Sequence, residues 1–213
     1  SIHGAFNGKV EIGKNGIIVN GNFIPVTTEK NPENIPWKKH NVDIVLESSG
    51  LFKTREKLHK HIIAGASKVI LSCPPDKALD ISVIFGVNED LLTNEHTIIS
   101  NASCTTNCLA PILKTIDDEF GVVSGFLNTV HPYTNNQSIV DSPHPELRRS
   151  RAASNIIPTV STAINALFEI IPKFKGKFDG FATRVPVPDG SFIELCLNLS
   201  KSTDVQSFNQ YIK

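Results

Sequence analysis

The sequence predicts an α/β protein: a parallel-sheet part up to about residue 103, then an α+β part with a mainly antiparallel sheet. Three observations carry this prediction. Short apolar runs at 42–46, 68–72, 81–85 and 97–100 have the length and composition of buried strands. A helical stretch between the first two gives the strand, helix, strand alternation of a parallel sheet. After Cys104 the apolar period becomes helical, with strand runs at 122–130, 182–187 and 193–199.

The elements follow in order. Residues 9–27 read as a β-meander, because Asn15-Gly16 and Asn20-Gly21 supply the positive φ of tight hairpin turns. Pro32, Pro36 and Trp37 mark a loop, and Val42–Leu46 is a buried strand. Thr54 is placed to cap a helix running to about Ala64. Lys68–Ser72, Ile81–Phe85 and Thr97–Ser100 are the next strands. Leu109, Ile112, Leu113 and Ile116 set a helix ending near Phe120-Gly121, and Val122–Val130 is a strand that delivers His131. A proline-rich polar loop covers 132–147, Arg148–Ser154 suggests a short basic helix, and Ser161–Ile171 an apolar one stopped by Pro172. Ala182–Val187 and Ile193–Leu199 read as antiparallel strands, and Asp204 starts a last helix.

Composition bounds the function. Hydrophobic residues make up 40% and charged residues 20%, and 21 basic against 21 acidic groups leave a formal net charge of zero. No field favours nucleic acid or an anionic membrane, no run is long enough to span a bilayer, and no signal peptide is legible. Four cysteines in apolar or small-residue surroundings point to reduced thiols in the cytoplasm. There is no methionine, even at position 1, and an amphipathic pattern still runs at Lys213, so the chain reads as a fragment cut at both ends.

The stretch Ser100–Pro111, SNASCTTNCLAP, holds two of the cysteines four residues apart. A zinc half-site would need a second pair, which is not nearby, and a disulfide would strain the helix. Cys108, one turn into the helix, reads as a small buried residue. Cys104 follows Ser103, the expected N-cap, where free backbone N–H groups favour a thiolate and can receive a substrate oxyanion. The residues alone leave nucleophile and packing residue both open. Among seven histidines, His3, His40, His59, His61 and His96 read as solvated, and His131 ends a strand as catalytic residues of α/β proteins often do.

SNASCTTNCLAP, NTVHPYT at 128–134, LRRSRAA at 147–153 and TRVPVP at 183–188 together resemble the phosphorylating glyceraldehyde-3-phosphate dehydrogenases, in order and spacing. HGAFNGKV, ESSGLF and FGVN extend the likeness over the whole chain. It implies a Rossmann-type dinucleotide-binding domain, its later part at 1–103 and its fingerprint unit absent, and a truncated catalytic domain at 104–213. It implies Cys104 as the thiolate that attacks an aldehyde and His131 as its partner, through a thiohemiacetal and a thioester that inorganic phosphate cleaves. It further implies Thr134 and Arg184 on the substrate phosphate, Arg149 between two anion sites, and Ser103, Thr105 and Ser161 at the attacking phosphate. Ser48, Ser49, Gly50, Phe52, Ser72, Cys73, Asn135 and Pro143 would contact NAD, with NADP not excluded, in a cytoplasmic homotetramer of glycolysis without metal, membrane or nucleic acid.

The chain departs from the family pattern twice: Thr162 stands where glycine is common, and the segment between Arg151 and Pro158 is one residue short. HPELRRSRAAS is also similar to sister enzymes acting on erythrose 4-phosphate, whereas Tyr133-Thr134 favours the glyceraldehyde enzyme. Readings from other classes are a cofactor-free Cys–His hydrolase and a non-catalytic binding homologue.

Overall fold

The computed structural model describes residues 2–212, so the expectations for the first and last residues lie outside it. Three strands, β1 (Val10–Gly13), β2 (Gly16–Val19) and β3 (Asn22–Pro25), form the expected meander, and Asn15 and Asn20 take φ of 60° and 50° at its turns.

The first main sheet is wholly parallel, with strand order β4-β5-β7-β6 for β4 (Ile44–Glu47), β5 (Lys68–Leu71), β6 (Ile81–Ser82) and β7 (Ile98–Ser100). Helix α1 (Arg55–Ile63) crosses from β4 to β5, capped by Thr54, whose hydroxyl accepts the Lys57 N–H. Its Leu58 packs with Val69, Leu71 and Ile98 in a small core of its own. Two expected strands are corrected. The β4 strand is buried on one side only, with Ile44 and Leu46 exposed. The run 81–85 pairs over two residues, because the Asn88 side chain takes the Ser82 carbonyl and the Ile84 N–H at 2.9 and 2.8 Å.

The second sheet is mixed, with order β11-β8-β10-β9 for β8 (Val122–Pro132), β9 (Ile157–Val160), β10 (Phe178–Val185) and β11 (Phe192–Leu199). Its edge pairs are antiparallel, while β8 and β10 run parallel with His131 opposite Arg184. Helices α2 (Cys104–Phe120) and α3 (Ala163–Ile170) cover one face, and Leu109, Leu113, Leu127, Leu167 and Phe174 form the main core. Helix α4 (Val205–Ile212) packs Phe208 against Phe120. Two further corrections belong here. The basic helix expected at 148–154 is a single 3-10 turn, Leu147–Arg149, in a loop tied by Ser138–Arg149 and Ala152–Ser138 backbone bonds. Strand β9 was not expected. It contains Pro158, which an edge strand tolerates because its missing N–H is not needed by a neighbour.

His61 is not a solvated histidine. It is 3% exposed, its Nε2 lies 3.0 Å from the buried Glu47 carboxylate, and its Nδ1 accepts the Trp37 indole N–H at 3.1 Å. The indole can only donate, so the ring proton sits on Nε2 and is donated to Glu47. The other Glu47 oxygen accepts the Ser49 N–H at 2.7 Å, which ties the crest after β4 to the core. No helix among the described residues is long and apolar enough to cross a membrane.

Replacing His61 with Ala leaves a buried carboxylate without its partner. The urea midpoint falls by an amount equivalent to roughly 3 kcal/mol, whereas the neutral isostere Glu47→Gln costs less than His61→Ala. Equal and small losses for both variants contradict the network.

Candidate active site

Strand β7 ends at the buried Ser100, and the chain turns through Asn101 and Ala102 into α2. Ser103 is the N-cap in extended conformation, and its Oγ accepts the Thr106 N–H at 3.0 Å. Cys104 is therefore the first helical residue, beside backbone N–H groups that have no partner within the helix. Its side chain is exposed, and Sγ lies 3.5 Å from His131 Nε2.

His131 is brought there by β8. Its other ring nitrogen, Nδ1, lies 2.8 Å from the Pro132 carbonyl and 2.6 Å from Nη1 of Arg184, which also donates to that carbonyl at 2.9 Å. The carbonyl calls for an N–H on Nδ1 and the guanidinium for a lone pair. The guanidinium only donates and can serve both acceptors, so the lone pair on Nδ1 satisfies all three groups while Arg184 stays in place. Burial pushes the half-buried Arg184 down from its ordinary range, attraction to the Cys104 sulfur opposes this, and Arg149 adds to it. Arg184 is thus a cation short of anionic neighbours.

Beyond Arg184 lies a polar cavity of ≈ 130 Å³, lined by Asn136, Gln137, Arg149, Thr159, Val160, Thr162 and Arg184. Arg149 reaches it while pairing with Glu146 at 3.3 Å. The Thr159 hydroxyl is buried and has no hydrogen-bond partner. Two guanidinium groups and an unsatisfied hydroxyl around one small cavity fit a multivalent oxyanion, which accepts from all of them. Chemistry, not size, sets this cavity apart: the larger one bounded by Ile24, Pro36 and Trp37 is mostly apolar, and in the larger one beside Arg148 and Arg151 the two arginines are paired with Glu146 and Asp141.

Of the residues singled out from sequence, Cys104, His131 and Arg184 are in contact, and Arg149 joins them across the cavity. Ser103 serves as the cap, and Thr105 is half-buried in the first turn of α2. Thr134 is exposed, with its hydroxyl on Asn136 Oδ1 at 2.7 Å, next to the cavity wall. Ser161 is buried, and its neighbour Thr162 lines the cavity instead. Ser48, Ser49 and Gly50 are exposed at the end of β4, and Ser72 at the end of β5 bonds back to the Glu47 carbonyl at 3.0 Å. Phe52 and Cys73 pack beneath this crest in the small core, and burial pushes the Cys73 thiol up. Asn135 and Pro143 are exposed in the loop after β8, and the loop's hydrogen bonds run to Arg149 and Ser150, away from the sulfur.

One expectation is overturned outright. Cys108 is exposed, because residues four apart share a helix face and Cys104 faces the cleft. Sequence reasoning missed Asn136, Gln137 and Thr159, and it named Thr162 only as a departure from the family pattern. For Thr159 a signal was present: on β9 it alternates inward with Ile157. All four cysteines are free, and no cluster of three or more metal-ligating side chains occurs among the described residues.

Comparison with known proteins matches residues 103–213 to the family described as glyceraldehyde 3-phosphate dehydrogenase, C-terminal domain, and residues 1–55 to that of its NAD binding domain. The chain is 45% identical over 215 residues to glyceraldehyde-3-phosphate dehydrogenase 2 of Bacillus subtilis, covering 100% of this chain and 63% of the relative. It is 47% identical over 215 residues to the glyceraldehyde-3-phosphate dehydrogenase of Geobacillus stearothermophilus, covering 100% and 64%, and 46% identical over 214 to that of Streptococcus pyogenes, covering 99% and 63%. The chain thus spans somewhat under two thirds of the length of these relatives.

If the cavity takes phosphate, inorganic phosphate at ten times its dissociation constant stabilises the fold by about 1.4 kcal/mol. Scanning calorimetry then shows a melting temperature raised by about 3–5 °C. Arg184→Gln loses that rise. Thr159→Val reduces it while leaving the phosphate-free protein as stable or more so, since an unsatisfied hydroxyl is removed. A melting temperature indifferent to phosphate contradicts the assignment.

Proposed function

Because this chain belongs to the glyceraldehyde 3-phosphate dehydrogenase family, we propose that its protein oxidises glyceraldehyde 3-phosphate with NAD and inorganic phosphate to 1,3-bisphosphoglycerate. The observation that carries this reading is Cys104 Sγ held 3.5 Å from His131 Nε2, with that imidazole joined through Arg184 to a doubly cationic cavity. A Cys–His hydrolase needs the first feature and has no use for the second.

The residues divide the work as follows. Arg184, with Arg149 and Thr134 nearby, grips the substrate phosphate and so places the aldehyde carbon against Sγ. As Arg184 turns to that phosphate, Pro132 O becomes free to accept an N–H from Nδ1; the imidazole then exchanges tautomer through water, Nε2 giving up its proton and Nδ1 taking one, which leaves the Nε2 lone pair facing the sulfur. Nε2 takes the Sγ proton, Sγ adds to the carbonyl carbon, and the same proton passes to the resulting alkoxide. This makes a thiohemiacetal, with the free N–H groups at the start of α2 beside the oxygen. Nε2 later takes the hydroxyl proton as the carbon is oxidised. Phosphate held on the side of Thr105 and Thr162 then attacks the thioester carbon, and Cys104 leaves as thiolate.

Ser48, Ser49, Gly50 and Ser72 fit a nucleotide cofactor. They form an open crest at the carboxyl ends of parallel strands, Gly50 has φ +74° with nothing within 4 Å of a Cβ, and the next strand leads to Cys104. Phe52 and Cys73 support this crest from beneath, and Asn135 and Pro143 are the loop residues assigned to the same ligand. When bound, NAD supplies the two-electron acceptor for the oxidation.

We assign residues 1–103 to the nucleotide-binding domain and 104–213 to the catalytic one. Ser103 and Ser161 are assigned to framing the attacking-phosphate site rather than to touching the anion. On the second sheet, Phe126, Phe181, Phe192 and Val160 are exposed on the face away from α2 and α3. That apolar face supports self-association of a cytoplasmic homotetramer.

The test is NADH formation. The protein reduces NAD with glyceraldehyde 3-phosphate only when phosphate is supplied, and Cys104→Ser loses about a thousandfold or more in kcat/KM. Phosphate-independent oxidation, or preference for erythrose 4-phosphate, contradicts the assignment.

A further inference from the structure

The turn that delivers Cys104 is strained, and one side chain accounts for its being held. Asn101 still belongs to the sheet in its hydrogen bonding, with its N–H on Leu71 O at 3.0 Å. Ser103 is already extended as the N-cap. The reversal between them falls on Ala102, with φ +53°, 2% exposure, and an N–H bonded to Ser100 Oγ at 2.9 Å. A residue with a Cβ in this left-handed region costs about 1–2 kcal/mol, and such conformations persist only where the surroundings impose them.

Asn107, one turn along α2, imposes this one. Its side-chain amide donates to Asn101 O at 2.7 Å and to Ser103 O at 2.9 Å, the carbonyls that precede and follow Ala102. Its backbone N–H also donates to Ser103 O at 2.9 Å. A primary amide has two hydrogens on one nitrogen and can close both bonds at once. Serine has one hydrogen and aspartate has none.

We propose that Asn107 is a positioning residue for Cys104: by stapling both sides of the left-handed Ala102 it sets the direction in which α2 begins, and so keeps Sγ within reach of His131. The proposal rests on the reading of Cys104 as the nucleophile. Nothing in it requires Asn107 to touch a substrate. A sulfur displaced by about an ångström from a 3.5 Å contact loses its imidazole, and misplacements of that size cost reactive geometry steeply.

The experiment is the rate of iodoacetamide alkylation of Cys104 at neutral pH, followed by mass spectrometry in a Cys108→Ser background so that the modified peptide holds one thiol. Asn107→Ala lowers this rate about tenfold and lowers kcat while KM for the aldehyde changes little. Adding Ala102→Gly removes the strain and restores the melting temperature, but the alkylation rate stays low, because a relaxed glycine turn no longer aims the helix. Asn107→Asp keeps the size and suits the first turn of a helix, and serves if the alanine variant folds poorly. It shows the same loss of reactivity. If Asn107→Ala alkylates as fast as the parent, or if reactivity returns together with stability in the double variant, Asn107 is only structural and the proposal fails. If Cys104 in the parent reacts no faster than free N-acetylcysteine at the same pH, the nucleophile reading itself fails, and the proposal with it.

Discussion

The site depends on one meeting: the start of a helix leaving a parallel sheet and the end of a strand in a mixed sheet come within 3.5 Å at Cys104 Sγ and His131 Nε2. Each partner is fixed from behind by a different layer. The sulfur is fixed by a capped helix start whose Thr106, Leu109 and Ala110 are buried. The imidazole is fixed by the eleven-residue strand β8, clasped between β10 and β11. Neither layer alone presents a reactive pair. The chemistry is a property of the junction between the two sheets, which places it in one stretch of chain from Ser100 to His131.

The same junction explains the cation next to it. Parallel pairing of β8 with β10 puts Arg184 opposite His131, so the cation that lines the cavity is hydrogen-bonded to the imidazole beside the sulfur. A phosphate that recruits Arg184 removes a donor from Nδ1 of the base. On the function we propose, recognition of a phosphorylated substrate and readiness of the base are two results of one side-chain movement. The buried Thr159 hydroxyl and Arg149 complete the cavity from an edge strand and a loop, elements able to vary without disturbing the pair.

Much of this was legible in the residues. The apolar runs marked the strands of the parallel sheet, and Ser103 with the small polar residues after it marked a helix start aimed at chemistry. What stayed hidden depends on contacts distant along the chain. His61 follows His59 and Lys60 in sequence, yet it is buried by Glu47 and Trp37, 14 and 24 residues away. The basic run after Arg148 has helical composition, but backbone bonds from Ser138 and Ala152 hold it as loop. Pro158 disguised β9 as a non-strand. Helical periodicity did contain the exposure of Cys108, since its partner on the same face, Cys104, was already assigned to the cleft. Reading it as packing put chemical type before geometry.

The central claim is that Cys104 and His131 act together on a carbonyl carbon. The most direct measurement is intact mass after mixing the protein with glyceraldehyde 3-phosphate and NAD in the absence of phosphate. The account predicts a stoichiometric acyl adduct that maps to Cys104, forms far more slowly in His131→Asn and disappears when phosphate is added. An adduct on any other side chain, or acylation that proceeds equally well without the imidazole, would contradict it.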